Sequence, residues 1–178
     1  ARATGKPGVV IVTSGPGATN TITAMGTAYM DSIPMIVFSG QVRTYMIGND
    51  AFQEADVTGI ARPVTKRAYL CKNVKDLPRI INEAFIIATT GRPGPVLIDL
   101  PVDVTTTKVE EAIDDTPHLP GYRPRVLGHS KMTKAAAEMI NASKRPVLYV
   151  GGGAVLADAW QEVRQLAEKA NVPCTTTL

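Results

Sequence analysis

Residues 9–20 read Val-Val-Ile-Val-Thr-Ser-Gly-Pro-Gly-Ala-Thr-Asn, and this run has the make-up of a ligand-facing turn. Proline fixes its own φ, and the flanking glycines let bare backbone come close to a neighbour. Gly15-Pro16-Gly17 is therefore a stiff edge nearly free of side chains. Asn20 follows as the chain enters a helix; its carboxamide can bond an outside partner or its own backbone. A strand running into a glycine turn and a helix start is where α/β proteins place small ligands. The same residues also suit an ordinary tight strand-to-helix connection without a ligand.

Other residues carry chemistry by type. Arg92, between Gly91 and Pro93, offers fixed forked donors to an anionic or carbonyl-rich ligand; it also suits a helix end, where positive charge is favoured. Gly151-Gly152-Gly153, after a strand and before a helix, frees backbone N–H groups in the manner of a dinucleotide turn, and equally makes a structural turn. Phe52 sits between turn signals, which suits a loop residue as well as a core one. His118 and His129 have no partners at metal-ligand spacing and read as solvated. Glu110-Glu111 and Asp114-Asp115 read as hydrated spacer. No metal site is predicted.

These residues need a scaffold, and periodicity supplies one. The apolar run Val9–Val12 predicts a buried strand, and Ile22, Met25, Tyr29 and Met30 predict a helix near 18–30. Met35–Phe38 is a strand ended by a Ser39-Gly40 turn; Gly48-Asn49-Asp50 is another turn. Tyr69–Cys71 is a short strand. Asp76 is an N-cap with Pro78 in the first turn. Leu77, Ile80, Ile81, Ala84, Phe85 and Ala88 line the core face of the helix that follows, closed by Gly91. Pro95–Leu100 is a further buried strand. From Pro101 to Arg125 prolines, threonines and acidic residues replace the pattern, as in an exposed, semi-rigid linker. Beyond it, Ser130 caps a helix with Met132, Ala135, Ala136, Met139 and Ile140 on one face. Val147–Val150 is a strand, Val155–Ala170 a helix on Ala159, Val163, Leu166 and Ala167, and Val172–Thr176 a strand. Strands alternating with helices predict α/β architecture with parallel sheets in both regions.

Composition narrows the classes. With 178 residues, 44% of them hydrophobic and 20% charged, the chain can bury a core. A net charge of +3, without a basic run, argues against nucleic acid. No apolar stretch approaches the ~18 residues of a membrane span. Cys71 and Cys174 lie far apart outside any CxxC pair and read as buried thiols. The chain opens without a methionine and ends on a strand, and is expected to be a piece of a longer protein.

Several blocks together resemble one family. Ser14-Gly15-Pro16-Gly17-Ala18-Thr19-Asn20 resembles the cofactor-facing loop of thiamine-diphosphate-dependent enzymes. Gly40-Gln41-Val42 with Asp50-Ala51-Phe52-Gln53-Glu54-Ala55-Asp56 is similar, more narrowly, to the catalytic large subunit of acetolactate synthase (acetohydroxyacid synthase). Gly91-Arg92-Pro93-Gly94-Pro95-Val96, Asp99-Leu100-Pro101, Gly151–Gly153 and Thr175-Thr176-Thr177-Leu178 continue the similarity.

The resemblance implies residues 1–103 as the back of a pyrimidine-binding domain, 104–127 as linker, and 128–178 as the front of a Rossmann-like middle domain that binds FAD. It implies decarboxylation of pyruvate and carboligation to a second 2-keto acid, 2-ketobutyrate among them, in branched-chain amino acid biosynthesis. It sets Gly15, Pro16, Gly17 and Asn20 on thiamine diphosphate, where a stiff, side-chain-poor edge can lie against a ring. It sets Phe52 and Gln53 on the substrate, with Gln53 near the reacting centre. Arg92, Gly151, Gly152, Gly153, Thr177 and Leu178 fall on the FAD side. The activating glutamate and the Mg²⁺-diphosphate motif lie outside the chain, so the isolated piece is expected to be inactive. A homodimer or homotetramer, a regulatory small subunit and a bacterial cytoplasmic location are expected, or an organelle in a eukaryote. Arg43 and Val102 depart from the family pattern, which has a small residue or proline and a lysine there. Two other readings stand beside this one: a thiamine-diphosphate enzyme of the glyoxylate carboligase or pyruvate oxidase type, and a non-catalytic flavin-binding module.

Overall fold

A computed structural model describes residues 1–110 and 113–177. The chain divides into two compact units, Ala1–Val126 and Leu127–Leu178. In the first, strands β1 (Gly8–Val12), β2 (Met35–Gln41), β3 (Arg67–Leu70) and β4 (Pro95–Pro101) form one parallel sheet in the order β1-β2-β4-β3. Five helices accompany them: α1 (Pro16–Thr19), α2 (Ile22–Met30), α3 (Val57–Ala61), α4 (Leu77–Thr89) and α5 (Val102–Thr106).

Strand alternation sorts the core into two layers. Ile36, Val96 and Ile98 face one side of the sheet, where they pack with Ile80, Ala84, Ile87 and Ala88 of α4. Val37 and Leu97 face the other, against Ala18, Met25, Val57 and Ala61 of α1–α3. Both faces of β4 are covered, which is why its sequence is an unbroken apolar run.

Several expectations change. β1 is an edge strand: Val10 and Val12 pack inward, while Val9 is half-exposed and Ile11 is 80% exposed. In α2 the buried positions are Met25 and Ala28; Tyr29 and Met30, in the last turn of the helix, are 38% and 72% exposed. Ser39 and Gly40 continue β2, since parallel pairing with Asp99 and Leu100 carries the strand on to Gln41. Asp76 makes no cap bond to α4; a 3₁₀ turn, Val74–Asp76, precedes the helix, Asn73 accepts from the Lys75 N–H, and Asp76 pairs with Arg79. The short helices α3 and α5 lack the length that makes periodicity legible.

The segment after β4 is not an unpacked tether. Leu119 and Tyr122 pack on the α4-side core. The Tyr122 hydroxyl donates to the Thr90 carbonyl at 3.1 Å, and the His118 N–H donates to buried Glu83 at 2.9 Å. Glu83 also accepts from Tyr69 (2.8 Å) and Arg79 (2.7 Å). Burial pushes that carboxyl up, but these bonds outweigh it and hold it below the usual range. Glu111 lies outside the described residues.

The second unit holds α6 (Ser130–Ala142), β5 (Leu148–Val150), α7 (Gly152–Leu156), α8 (Trp160–Ala170) and β6 (Cys174–Thr176), with β5 and β6 parallel. Residues 155–170 form two helices, not one: the chain breaks at Asp158, whose φ is +52°. Ser130 is the first residue of α6, and His129 stands at its cap position without a side-chain bond. Met132 and Met139 are exposed, and Val172 is the buried hydrophobic residue of the described part. Cys71 is buried as expected; Cys174 is exposed, because β6 has exposed residues throughout.

Candidate functional site

The carboxyl ends of β1, β2 and β4 bring the chemistry-bearing residues together. Register pairs Val12 with Ser39 and Ser39 with Asp99, so the loops leaving β1 and β2 start side by side. After β1 the chain turns at Gly15, at φ +53° and ψ −115°, a conformation closed to side chains. A β-carbon on Gly40, at the end of β2, would sit 3.3 Å from Ser14 N. One on Gly15 would sit 2.5 Å from the Gln53 carbonyl oxygen, and one on Gly17 would sit 2.6 Å from Thr13 Cγ2. The glycines thus serve close packing within the protein, and bring the bend directly against the 50–56 segment.

What this packing leaves outward is specific. Pro16 is exposed at the tip of the bend, and Asn20 is exposed one turn later. Thr19 and Thr21 hydroxyls bond back to the carbonyls of Pro16 and Ala18. Among the described residues the Asn20 carboxamide makes no hydrogen bond, so the self-bonded alternative does not hold. Phe52 is 87% exposed, which excludes it from the core. Gln53 is exposed, with its backbone in the left-handed region at φ +59°.

The segment carrying Phe52 and Gln53 is held from within and from the sheet. Glu54 accepts from the N–H groups of Gly48 and of Ala51 (2.9 Å); these bonds keep its carboxyl below the usual range. Asp56 caps α3 by accepting from Gly59 N–H at 2.8 Å. Beneath lies a buried polar cluster that sequence reasoning missed. Asp99 accepts from the Ser39 hydroxyl at 2.6 Å and from Gln41 Nε2 at 2.9 Å. The same Nε2 donates to the Ala55 carbonyl at 2.9 Å, and Gln41 Oε1 accepts from Val42 N–H. Burial pushes the Asp99 carboxyl up to about 6, against the two hydrogen bonds; the nearby charge of Asp56 adds to the rise. An acid inside the apolar run Pro95–Leu100 was the available signal.

Arg92 faces other work. Nε donates to Ser32 Oγ at 2.7 Å, and Nη2 donates to the carbonyls of Met30 (2.8 Å) and Tyr29 (3.4 Å) at the end of α2. Nη1 makes no hydrogen bond among the described residues. Arg43 is exposed ahead of a 3₁₀ turn, Thr44–Met46, and Val102 opens α5; Asp103 beside it accepts from Thr44 N–H (3.1 Å). In the second unit Gly151 precedes α7, so Gly152 and Gly153 are helical and not part of a turn. β-carbons on those two would meet nothing within 4 Å, so close approach from outside is open there. Thr177 extends the ladder by donating to the Val150 carbonyl at 2.9 Å. Leu178 lies outside the described residues. His118 and His129 are exposed. Among the described residues no group of three or more His, Cys, Asp or Glu could hold a metal, and no helix is long and apolar enough to cross a membrane.

Comparison with known proteins finds relatives for both units. Residues 1–60 match the family described as thiamine pyrophosphate enzyme, N-terminal TPP binding domain; residues 133–178 match the thiamine pyrophosphate enzyme central domain. Over its full length the chain is 51% identical to the acetolactate synthase large subunit of Buchnera aphidicola, covering 32% of that protein. It is 48% identical to the Escherichia coli acetolactate synthase isozyme 3 large subunit, covering 31%, and 48% identical to the Corynebacterium glutamicum large subunit, covering 28%. It thus spans about a third of the length of the curated relatives it matches. The chain thus resembles, in order, the N-terminal and central domains of thiamine pyrophosphate enzymes, and over its whole length it is similar to about a third of acetolactate synthase large subunits.

Proposed function

We propose that the full-length protein is the catalytic large subunit of an acetolactate synthase, decarboxylating pyruvate and joining the remainder to a second 2-keto acid, pyruvate or 2-ketobutyrate, in branched-chain amino acid biosynthesis. The observation that carries this reading is the backbone contact between Gly15 and Gln53. It sets the stiff Pro16 edge beside an exposed phenylalanine and an exposed glutamine.

Thiamine diphosphate, when bound, supplies the electron sink that makes loss of CO₂ from a 2-keto acid feasible. The residues present fit its ring: a proline edge, and an asparagine whose carboxamide is free to donate and accept. Pro16 would lie against the aminopyrimidine, and Asn20 would hold it by a hydrogen bond. Phe52 walls the keto acid's methyl group and excludes water, and Gln53 makes the polar contact nearest the reacting carbon. Fixed placement of this kind is the protein's main contribution in such chemistry.

FAD is the second cofactor of this reading; Gly151, Gly152, Gly153 and Thr177 would hold it in the second unit, and Arg92 in the first is a further candidate. Mg²⁺ would be held by residues outside this chain. The glutamate that activates the cofactor also lies outside, so the 178-residue piece alone turns over no pyruvate. The first domain as the pyrimidine-side wall implies that another subunit's domain closes the site, hence a homodimer or larger, with a regulatory small subunit and a bacterial cytoplasmic location. The experiment is a product assay on the full-length protein with pyruvate, 2-ketobutyrate and glyoxylate. Acetolactate and acetohydroxybutyrate are expected; tartronate semialdehyde or acetyl phosphate as the product would overturn the assignment.

A further inference from the structure

We infer that the buried Gln41 carboxamide, oriented by Asp99, is a positioning residue that fixes the 50–56 segment and thereby sets where Phe52 and Gln53 meet substrate. The inference rests on the functional reading above for its kinetic part, and on geometry alone for its structural part.

Several observations carry it. Ser39, Gln41, Asp99 and Pro101 share one sheet face, because Ser39 pairs with Asp99 and Gln41 with Pro101 in parallel register. That face is otherwise apolar, with Val37 and Leu97 below. A polar cluster there costs stability unless every group is satisfied, and this one is: no buried side-chain nitrogen or oxygen in the described structure lacks a partner. Gln41 uses both ends of its amide, Nε2 on Asp99 and on the Ala55 carbonyl, Oε1 on its own neighbour's N–H. Asp99 accepts from Gln41 and Ser39 at once, which fixes the amide's orientation. The bond to Ala55 is the side-chain link from the sheet to a segment that otherwise staples itself through Glu54. The segment contains two non-glycine residues in the left-handed region, Asp50 and Gln53, a conformation that needs outside support. Asp56 is the other charged group facing Asp99.

The test uses the full-length protein and two variants. Gln41→Leu removes the donor to Ala55; Gln41→Glu keeps the shape but turns an oxygen toward Ala55 and a second carboxylate toward Asp99. In Gln41→Leu, hydrogen exchange of amides 47–56 is expected to rise about tenfold over wild type, with β1 and α4 unchanged. The pyruvate KM is expected to rise about 10- to 100-fold, while the concentration of thiamine diphosphate for half-activation moves less than about twofold. In Gln41→Glu the excess exchange should grow from about pH 5 to about pH 8, as the two carboxylates come to repel. Unaltered exchange at 47–56 in both variants overturns the anchor, as does a parallel fall in pyruvate affinity, cofactor affinity and melting temperature. A wild-type protein without pyruvate turnover overturns the acetolactate synthase reading instead, and the exchange data still decide the anchor.

Discussion

Gly15 and Gln53 touch through their backbones: a β-carbon on the glycine would lie 2.5 Å from the glutamine's carbonyl oxygen. Both residues also have positive φ, +53° and +59°. The bend after β1 and the segment after β2 therefore meet through backbone, not side chains.

Gly15→Ala should break that lock. Alanine cannot adopt this φ and ψ without strain, and its methyl would collide with a carbonyl that has no room to retreat. The strain alone is worth about 1–3 kcal/mol. A melting curve of the full-length variant checks this, and a change of under half a kcal/mol would show that the loops are compliant.

Phe52→Ala should behave in the opposite way. The ring is 87% exposed, so its removal should change stability by no more than about 0.5 kcal/mol. Its loss should nevertheless lower kcat/KM for pyruvate about tenfold or more, since a 1 kcal/mol loss of transition-state contact is already about fivefold. Stability and steady-state kinetics on the same sample separate the two effects.

Asn20→Ala removes a carboxamide that makes no hydrogen bond among the described residues. Melting temperature should stay unchanged, and thiamine diphosphate should bind about 3- to 10-fold more weakly, the value of one hydrogen bond. Calorimetric titration of the cofactor reads this directly.

Asp99 gives the fold a pH signature. Burial raises its carboxyl from the ordinary 3.8 to about 6. Between those values the folded state holds a proton that the unfolded state has lost, so stability falls as pH rises through that window. Above it the ionised, buried carboxylate costs about 1–3 kcal/mol. Asp99→Asn should therefore melt higher than wild type at about pH 8, with the gap closing toward about pH 4. A gap independent of pH would mean that Asp99 titrates normally.

Much of the first unit was legible because its signals are local and strong. β4 is an apolar run, α4 has a clear 3.6-residue stripe, and Gly91 at φ +62° closes it. The small helices α3 and α5 were not, being too short for a period; the Asp56 cap on Gly59 was the only cue to α3. Met132 and Met139, expected on a core face, are exposed in the described residues. At the site, the residue types of the 14–20 and 50–56 blocks were readable, but their contact was not, because it joins loops from two strands. The Ser39–Asp99–Gln41 cluster was hidden for the same reason: partners in register across a sheet are distant in sequence.

The central claim concerns what lies against this joined surface. The most direct measurement is a crystal structure of the full-length protein with thiamine diphosphate and a non-reactive pyruvate analogue bound. The account predicts the aminopyrimidine ring against Pro16 and hydrogen-bonded to Asn20, with the analogue's methyl on Phe52 and its carbonyl beside Gln53. A cofactor ring seated away from Pro16, or an analogue that touches neither Phe52 nor Gln53, would contradict it.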